Sequence, residues 1–165
     1  RQRLRDACGA LHLSEPEWSD LEALLARECV THAASVFKLA LVPRAGARGY
    51  VRVWPSVSDV YLFVHDLPAI DPSVYREGLQ LEARRVDFPS THDAGIKSLS
   101  RLDQVLFAPA VSGRDLLACD RDGFLLGGQS ANVFALFGST WVTPPSGRGV
   151  ISGVMRSMLL QSPPT

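Results

Sequence analysis

The sequence predicts an α/β (α+β) protein of two lobes, and three observations support this class. The chain has 165 residues, of which 46% are hydrophobic and 21% charged, which suffices for a packed core. Helical spacing of apolar residues near the start gives way to short runs rich in β-branched and aromatic residues. The segment HDLPAIDP at 65–72 combines prolines with aspartates and predicts a linker. We therefore place a small α/β lobe at 1–66 and a larger, strand-rich lobe at 67–165.

The first lobe is predicted to contain two helices followed by two strands. Apolar residues recur at helical spacing over 1–13, which predicts the first helix. Pro16 fits the first turn of a second helix, with Ser14 as its cap. The runs SVFKLALV at 35–42 and DVYLFV at 59–64 are typical of strands.

The second lobe is predicted to be mostly strands that turn back on themselves, with short helices. Alternation over 79–88 predicts a strand, and the apolar face of 98–106 predicts a helix. Two hairpins follow, one around the Asp120–Gly123 turn and one around Gly138 and Ser139. A glycine-rich loop at 147–153 precedes a final helix at 154–161.

The composition excludes several classes of function. The 17 basic and 17 acidic residues cancel, so neither a nucleic-acid partner nor a membrane partner is expected from bulk charge. The three cysteines are odd in number and far apart, which favours free thiols in a reducing, cytoplasmic compartment. The histidines are scattered, so no metal site is expected. The expected partner is a small-molecule substrate.

The choice of basic residues draws attention to lysine. Of the 17 basic residues, 15 are arginine, and Lys38 and Lys97 are the two lysines. Lysine can lose its proton and form a Schiff base, whereas arginine can do neither. Codon usage would produce the same bias, so this pattern alone leaves both explanations open. Lys97 stands in GIKSLSRL, between a loop and a predicted helix.

A second signal concerns anions. The glycine-rich loop ends where Gly153 meets the last helix, and free backbone N–H groups at such a start bind phosphate. Arg3 on the first helix would add a charge-assisted contact to the same anion. A lysine, a helix N-terminus and an arginine together indicate a phosphate-bearing carbonyl cofactor.

Sequence motifs in the second lobe resemble those of the fold-type IV pyridoxal-phosphate enzymes, the class IV aminotransferase family. That family shows a lysine motif, an Asp-x-x-Gly hairpin, a small-residue segment ending in Asn-hydrophobic-Phe, a Thr-Pro pair and a Gly-hydrophobic-x-Arg helix start. In this chain the corresponding segments, in the same order, are Gly95–Lys97, Asp120–Gly123, Ser130–Phe134, Thr143–Pro144 and Gly153–Arg156. The resemblance covers essentially the whole chain.

The resemblance implies specific roles. Lys97 would hold pyridoxal 5'-phosphate covalently, and Ser130 would hydrogen-bond it. Arg3 and the backbone N–H groups of Val154 and Met155 would bind its phosphate.

One position departs from the family's pattern. Family members carry a glutamate that pairs with the pyridine nitrogen, and this chain has Gly127 there. The missing carboxylate weakens the cofactor ring as an electron sink.

Within the family, the details are most similar to 4-amino-4-deoxychorismate lyase, which acts in folate biosynthesis. Leu102 stands where branched-chain aminotransferases carry tyrosine, and Met155 where aminotransferases usually carry threonine. Two alternatives remain: a class IV aminotransferase of the branched-chain or D-amino acid type, and a truncated relative without turnover.

Family members are longer at both ends, so we expect both lobes to be incomplete. Arg48 and Arg101 are further candidates for contacts with substrate carboxylates, and the resemblance also implies a homodimer.

Overall fold

The computed structural model describes residues 1–44, 46, 48, 49, 51, 53, 54, 56–86, 95–108 and 115–162. The chain divides into two compact units, Arg1–Asp71 and Pro72–Thr165. No helix among the described residues combines the length and the apolar character needed to cross a bilayer.

The first unit consists of two helices and a two-stranded antiparallel ribbon. Its elements are α1 (Gln2–Leu11), α2 (Trp18–Thr31), β1 (Ser35–Pro43) and β2 (Ser58–Asp66). The ribbon runs in continuous register from Ser35 opposite Asp66 to Pro43 opposite Ser58. Cys8 of α1 is buried, and this burial, together with the nearby Glu15 carboxylate, raises the pKa of its thiol. Cys8 is therefore a packing residue and not a nucleophile.

The second unit is built of short helices and short strands. Its elements are α3 (Ser73–Glu77), β3 (Leu81–Arg85), α4 (Leu102–Phe107), β4 (Asp115–Cys119), β5 (Leu125–Gly128), β6 (Ala135–Phe137), β7 (Thr140–Val142) and α5 (Val154–Gln161). Among the described residues β3, β4 and β5 form one sheet in that order, with β3 and β4 parallel and β4 and β5 antiparallel. The strands β6 and β7 form a separate hairpin.

The core of the second unit extends from this sheet into the loop before α5. It is a cluster of buried apolar residues: Val86, Leu116, Ala118, Leu126 and Val150. Leu116 and Ala118 lie on the same face of β4, as the alternation of a half-buried strand requires. Because Val150 is buried with them, the glycine-rich loop is fixed to the sheet just before α5 begins.

Most predicted elements are present in the structure. The helix α5 has the predicted bounds, and both hairpins turn where the sequence placed them. The short helix α3, which was not predicted, begins at Ser73, directly after the segment interpreted as linker. The predicted strand over 79–88 is shorter, since β3 ends at Arg85, and residues 87 and 88 lie outside the described residues.

The predicted start of the second helix was wrong. Its N-cap is Glu17 and the helix begins at Trp18, so Ser14 does not cap it. The cause is a long-range contact, because the Ser14 N–H donates to the Ser56 carbonyl at 2.9 Å and Leu13 forms a β-bridge with Ser56. These bonds hold the segment before α2 in an extended conformation.

Candidate active site

Lys97 lies in a short irregular segment between Gly95 and α4. Its side chain is exposed, and in the part of the chain that the structure describes its amine has no hydrogen-bond or ion-pair partner. Gly95 has φ 94°, in the left-handed region that favours glycine, and an added Cβ would stand 3.1 Å from the Ser152 Oγ. The glycine two residues before Lys97 is thus required by backbone conformation and by a close neighbour.

A backbone hydrogen bond connects the lysine segment to the start of α5. The Ser152 N–H donates to the Gly95 carbonyl at 3.1 Å. Ser152 lies two residues before the first residue of α5, and Gly95 two residues before Lys97. The lysine and the helix N-terminus therefore belong to one locally connected site.

The N-terminus of α5 offers backbone donors to a ligand. Its N-cap is Gly153, which provides no side-chain cap, and the Ser157 N–H to Gly153 carbonyl bond at 3.0 Å is the first helical bond. The preceding N–H groups, including those of Val154 and Met155, find no partner among the described residues. Both residues are exposed. Such a helix start attracts anions through its free donors and its dipole.

Asn132 fixes the chain just before α5. Its Nδ2 donates to the Ile151 carbonyl at 2.9 Å. A Cβ built on Gly153 would come within 1.9 Å of the Asn132 Oδ1, so only glycine leaves room for this amide. The asparagine of one family motif and the glycine of another are therefore a matched pair.

Two further hydrogen bonds join the remaining motifs to α5. The Thr143 hydroxyl donates to the Val133 carbonyl at 2.8 Å. Arg156 on α5 donates from Nε to the Thr143 Oγ1 at 3.3 Å and from Nη2 to the Pro144 carbonyl at 2.9 Å. Arg156 is thereby engaged with the Thr-Pro segment and anchors the helix.

Arg101 makes a contact that the sequence did not predict. It is the N-cap residue of α4, and its Nη2 and Nε donate to the carbonyls of Ile96 and Ser98 at 2.7 and 3.1 Å. These are the residues on either side of Lys97. The predicted helix over 98–106 accordingly begins only at Leu102, because the preceding residues belong to this loop.

The end of β5 carries the glycine that replaces the family's glutamate. Gly127 is buried and pairs with Ala118 of β4. The next residue, Gly128, donates its N–H to the Ala131 carbonyl at 2.9 Å and so turns the chain towards Asn132. Ser130, within this turn, is exposed and has no hydroxyl partner among the described residues.

The hairpin turn at Asp120 is fastened to the glycine-rich loop. The Asp120 carboxylate accepts the N–H groups of Phe124 at 2.8 Å and Asp122 at 3.0 Å, and Arg148 Nη1 at 2.8 Å. Desolvation acts to raise the pKa of Asp120, but the Phe124 N–H, the Arg148 guanidinium and the Asp122 N–H outweigh it, so the pKa is lowered. This ion pair connects the first hairpin of the unit to the loop that leads into α5.

Arg3 lies in the first unit, on an exposed position of α1. The prediction that Arg3 shares one anion with the start of α5 joins residues of the two units, so it stays a prediction. Within the described residues no group of three or more His, Cys, Asp or Glu side chains could hold a metal ion.

The chain belongs to the class IV aminotransferase family, because the family model described as amino-transferase class IV matches residues 1–164. Enzymes of this family depend on pyridoxal phosphate.

Solved structures with the same fold include a lyase and two aminotransferases. The crystal structure of 4-amino-4-deoxychorismate lyase from Pseudomonas aeruginosa matches with a TM-score of 0.84 and 27% identity, over 97% of this chain and 60% of that one. A hypothetical aminotransferase from Mycobacterium tuberculosis matches with a TM-score of 0.73 and 20% identity, over 97% and 59% of the two chains. A fold IV transaminase from Curtobacterium pusillum matches with a TM-score of 0.71 and 22% identity, over 97% and 58%.

These matches confirm the predicted fold-type IV α/β fold. The chain spans about 60% of the length of these solved structures.

The contact between Asn132 and Gly153 generates a prediction about stability. Gly153→Ala should destabilise the second unit by roughly 1–3 kcal/mol, because the new methyl group displaces the Asn132 amide from the Ile151 carbonyl. The same change in an Asn132→Ala background should cost much less, since the clash is gone. Urea unfolding of the two single variants and the double variant measures this coupling.

Gly9→Ala provides the control, because a Cβ at Gly9 meets nothing within 4 Å. That substitution lies inside α1 and should be neutral or stabilising. Strictly additive costs for Gly153→Ala and Asn132→Ala would contradict the matched pair.

The lowered pKa of Asp120 predicts how stability depends on pH. A carboxyl group whose pKa is lower in the folded state stabilises the fold fully above its ordinary value of 3.8. This stabilisation is lost as the pH falls through the lower folded-state value. Asp120→Asn keeps an oxygen acceptor but carries no charge, so its unfolding free energy should fall less between about pH 6 and pH 3 than that of the wild type. Parallel acid profiles for the two proteins would contradict the role given to the Arg148 ion pair.

Proposed function

We propose that this chain carries the lysine-bearing part of a pyridoxal-phosphate lyase that converts 4-amino-4-deoxychorismate to 4-aminobenzoate and pyruvate. The observation that carries the proposal is the Ser152–Gly95 hydrogen bond, which joins the loop that carries the exposed Lys97 to the segment that leads into an uncapped helix N-terminus. The similarity to the Pseudomonas aeruginosa lyase, at 27% identity, supports this choice within the family.

The residues present fit the proposed cofactor at several of its groups. A free primary amine suits its aldehyde, and Lys97 provides an amine that has no partner among the described residues. The uncapped N–H groups of Val154 and Met155 suit its phosphate, and Arg3 is proposed to contribute a charge from the first unit. The exposed Ser130 hydroxyl, without a partner among the described residues, suits a hydrogen bond to the cofactor.

The proposed reaction removes one proton from the substrate and returns one proton to the product. When bound, pyridoxal phosphate supplies an electron-accepting ring next to the substrate nitrogen. Lys97 would remove the proton from the substrate carbon that bears this nitrogen. The carbon–oxygen bond to the enolpyruvyl group then breaks, its electron pair leaves with the oxygen, and the enolate takes up a proton to become pyruvate. The remaining ring becomes aromatic, and no other reactant is needed.

Gly127 favours the lyase over an aminotransferase. A glycine cannot provide the carboxylate that keeps the cofactor's ring nitrogen protonated. An aminotransferase depends on that electron sink until it returns a proton elsewhere, whereas aromatisation supplies much of the driving force for the lyase. Loss of the carboxylate is therefore better tolerated by lyase chemistry. A truncated relative that binds the cofactor without turnover is the alternative that the experiments below distinguish.

The proposal includes a small-molecule substrate, a homodimer and a cytoplasmic location. Cys8, Cys29 and Cys119 are all unpaired thiols, which supports a reducing compartment.

One prediction of this proposal concerns the reactive lysine. Lys97→Ala should abolish the visible absorbance band of the lysine-bound cofactor and any cofactor-dependent turnover, because no arginine can replace a primary amine. Lys38→Ala is the matched control. The Lys38 amine lies 5.4 Å from the centre of the Phe63 ring in the first unit, and its loss should leave the band intact.

Absorbance spectra of both variants with added pyridoxal phosphate, before and after borohydride reduction, make the measurement. A band that survives in Lys97→Ala and disappears in Lys38→Ala would place the cofactor on Lys38 in the first unit and contradict the proposal. A band without release of pyruvate from 4-amino-4-deoxychorismate would favour the relative without turnover.

Another prediction of this proposal concerns the carboxylate that is missing at Gly127. Gly127→Glu should tighten cofactor binding and raise aminotransferase side activity more than lyase activity. The aminotransferase rate should rise by about one to two decades if the full strength of the charge-assisted bond stabilises the transition state. The site has room for a first side-chain atom. Gly127 has φ 159°, close to extended backbone, and a Cβ would meet the Ala131 carbonyl at an ordinary 3.4 Å.

Gly127→Ala is the control that separates backbone effects from the carboxylate. The two variants should differ in stability only by the cost of burying the longer glutamate side chain. Gly127→Ala should leave the ratio of aminotransferase to lyase activity unchanged. Equal gains in both activities for Gly127→Glu would show that the lyase is as dependent on the electron sink as the aminotransferase.

A further inference from the structure

Arg101 encloses the backbone on both sides of Lys97. Its Nη2 donates to the Ile96 carbonyl at 2.7 Å and its Nε to the Ser98 carbonyl at 3.1 Å. The guanidinium group is half-buried, whereas Lys97 between the two carbonyls is exposed. One rigid, planar group thus binds the carbonyls of the two residues that flank the residue whose amine is chemically important.

We propose that Arg101 is the positioning residue that holds Lys97 in its reactive location, an inference that rests on the proposed function. The segment from Gly95 to Arg101 has no helix or strand to fix it. Its beginning is held by the Ser152 N–H on the Gly95 carbonyl, and its end by the start of α4. Between these points, the two bonds from Arg101 fix the backbone on which the Lys97 side chain is mounted.

The chemistry of the two bonds explains why the residue is an arginine. Adjacent N–H groups on one edge of a guanidinium reach two acceptors at once in a fixed geometry. A lysine ammonium is a single point donor on a flexible stem and cannot hold both carbonyls with the same precision. Bonds from a charged donor are stronger than neutral ones, so two of them restrict the loop substantially.

This role differs from the one that the sequence suggested for Arg101. A residue reserved for a substrate carboxylate would direct this edge of its guanidinium outward. In the structure, Nε and Nη2 are both directed at the carbonyls of the Lys97 loop. Arg101 would thus act through Lys97. Because it already restricts the loop, the loop would lose less conformational freedom when the Lys97 amine reacts.

The test measures how tightly Lys97 captures an aldehyde that lacks a phosphate. Pyridoxal, titrated into the protein and followed by its visible band, reports on the lysine without the contribution of the phosphate site. Arg101→Gln should raise the apparent dissociation constant for pyridoxal by about ten- to a hundredfold, as expected for the loss of charge-assisted hydrogen bonds. Arg101→Lys, which can restore one of the two bonds, should lie between Arg101→Gln and the wild type.

Leu116→Val separates positioning from a general loss of stability. Leu116 lies in the same unit, and its side chain is fully buried in the sheet core. The lost packing should lower the urea midpoint while leaving the dissociation constant for pyridoxal within about twofold of the wild type. Arg101→Gln should show the opposite pattern, a large change in capture with a small change in midpoint.

The outcomes separate the two proposals. If the wild type forms no borohydride-reducible link at Lys97, the proposed function fails and this inference fails with it. If the wild type forms the link and Arg101→Gln captures pyridoxal equally well, only the positioning role is overturned. A raised KM for 4-amino-4-deoxychorismate in Arg101→Gln, with unchanged pyridoxal capture, would assign Arg101 to a substrate carboxylate instead.

Discussion

The candidate site depends on one backbone hydrogen bond, from the Ser152 N–H to the Gly95 carbonyl. It connects two segments that are far apart in the chain, one leading to Lys97 and the other to α5. Each segment is then fixed by a second interaction, Arg101 on one side and Asn132 on the other. A primary amine and a set of free helix donors are therefore held by the same small network.

The sequence motifs of this family acquire a physical meaning in the structure. Several of their residues contact one another and need not contact any ligand. Asn132 requires Gly153 because its amide occupies the space of a Cβ, and Arg156 reaches back to the Thr143–Pro144 segment. These contacts place the start of α5, whose backbone N–H groups need no particular side chains to bind an anion. A motif of this kind specifies the location of a helix end at least as much as it specifies chemistry.

Local patterns predicted the elements well, and long-range contacts account for the failures. Hydrophobic spacing and turn residues suffice for α5 and for the two hairpins, because helix periodicity and tight turns are properties of neighbouring residues. The region before α2 was mispredicted because Ser14 bonds to Ser56, a partner that no local pattern reveals.

The site shows the same division. The bias toward arginine in the sequence indicated Lys97, and the glycine-rich loop indicated the N-terminus of α5. The bonds from Arg101 to the carbonyls beside Lys97 follow only from the fold. A signal was nevertheless present, since an arginine four residues after the lysine is close enough in sequence to reach back to this loop. The position of Arg3 relative to α5 stays a prediction.

The most direct measurement of the central claim is a map of where the cofactor attaches. The protein, incubated with pyridoxal phosphate and reduced with borohydride, is digested, and its peptides are weighed by mass spectrometry. We expect one pyridoxyl group, on the peptide that contains Lys97, and an unmodified peptide around Lys38. Modification of Lys38, or equal labelling of both lysines, would contradict the site described here.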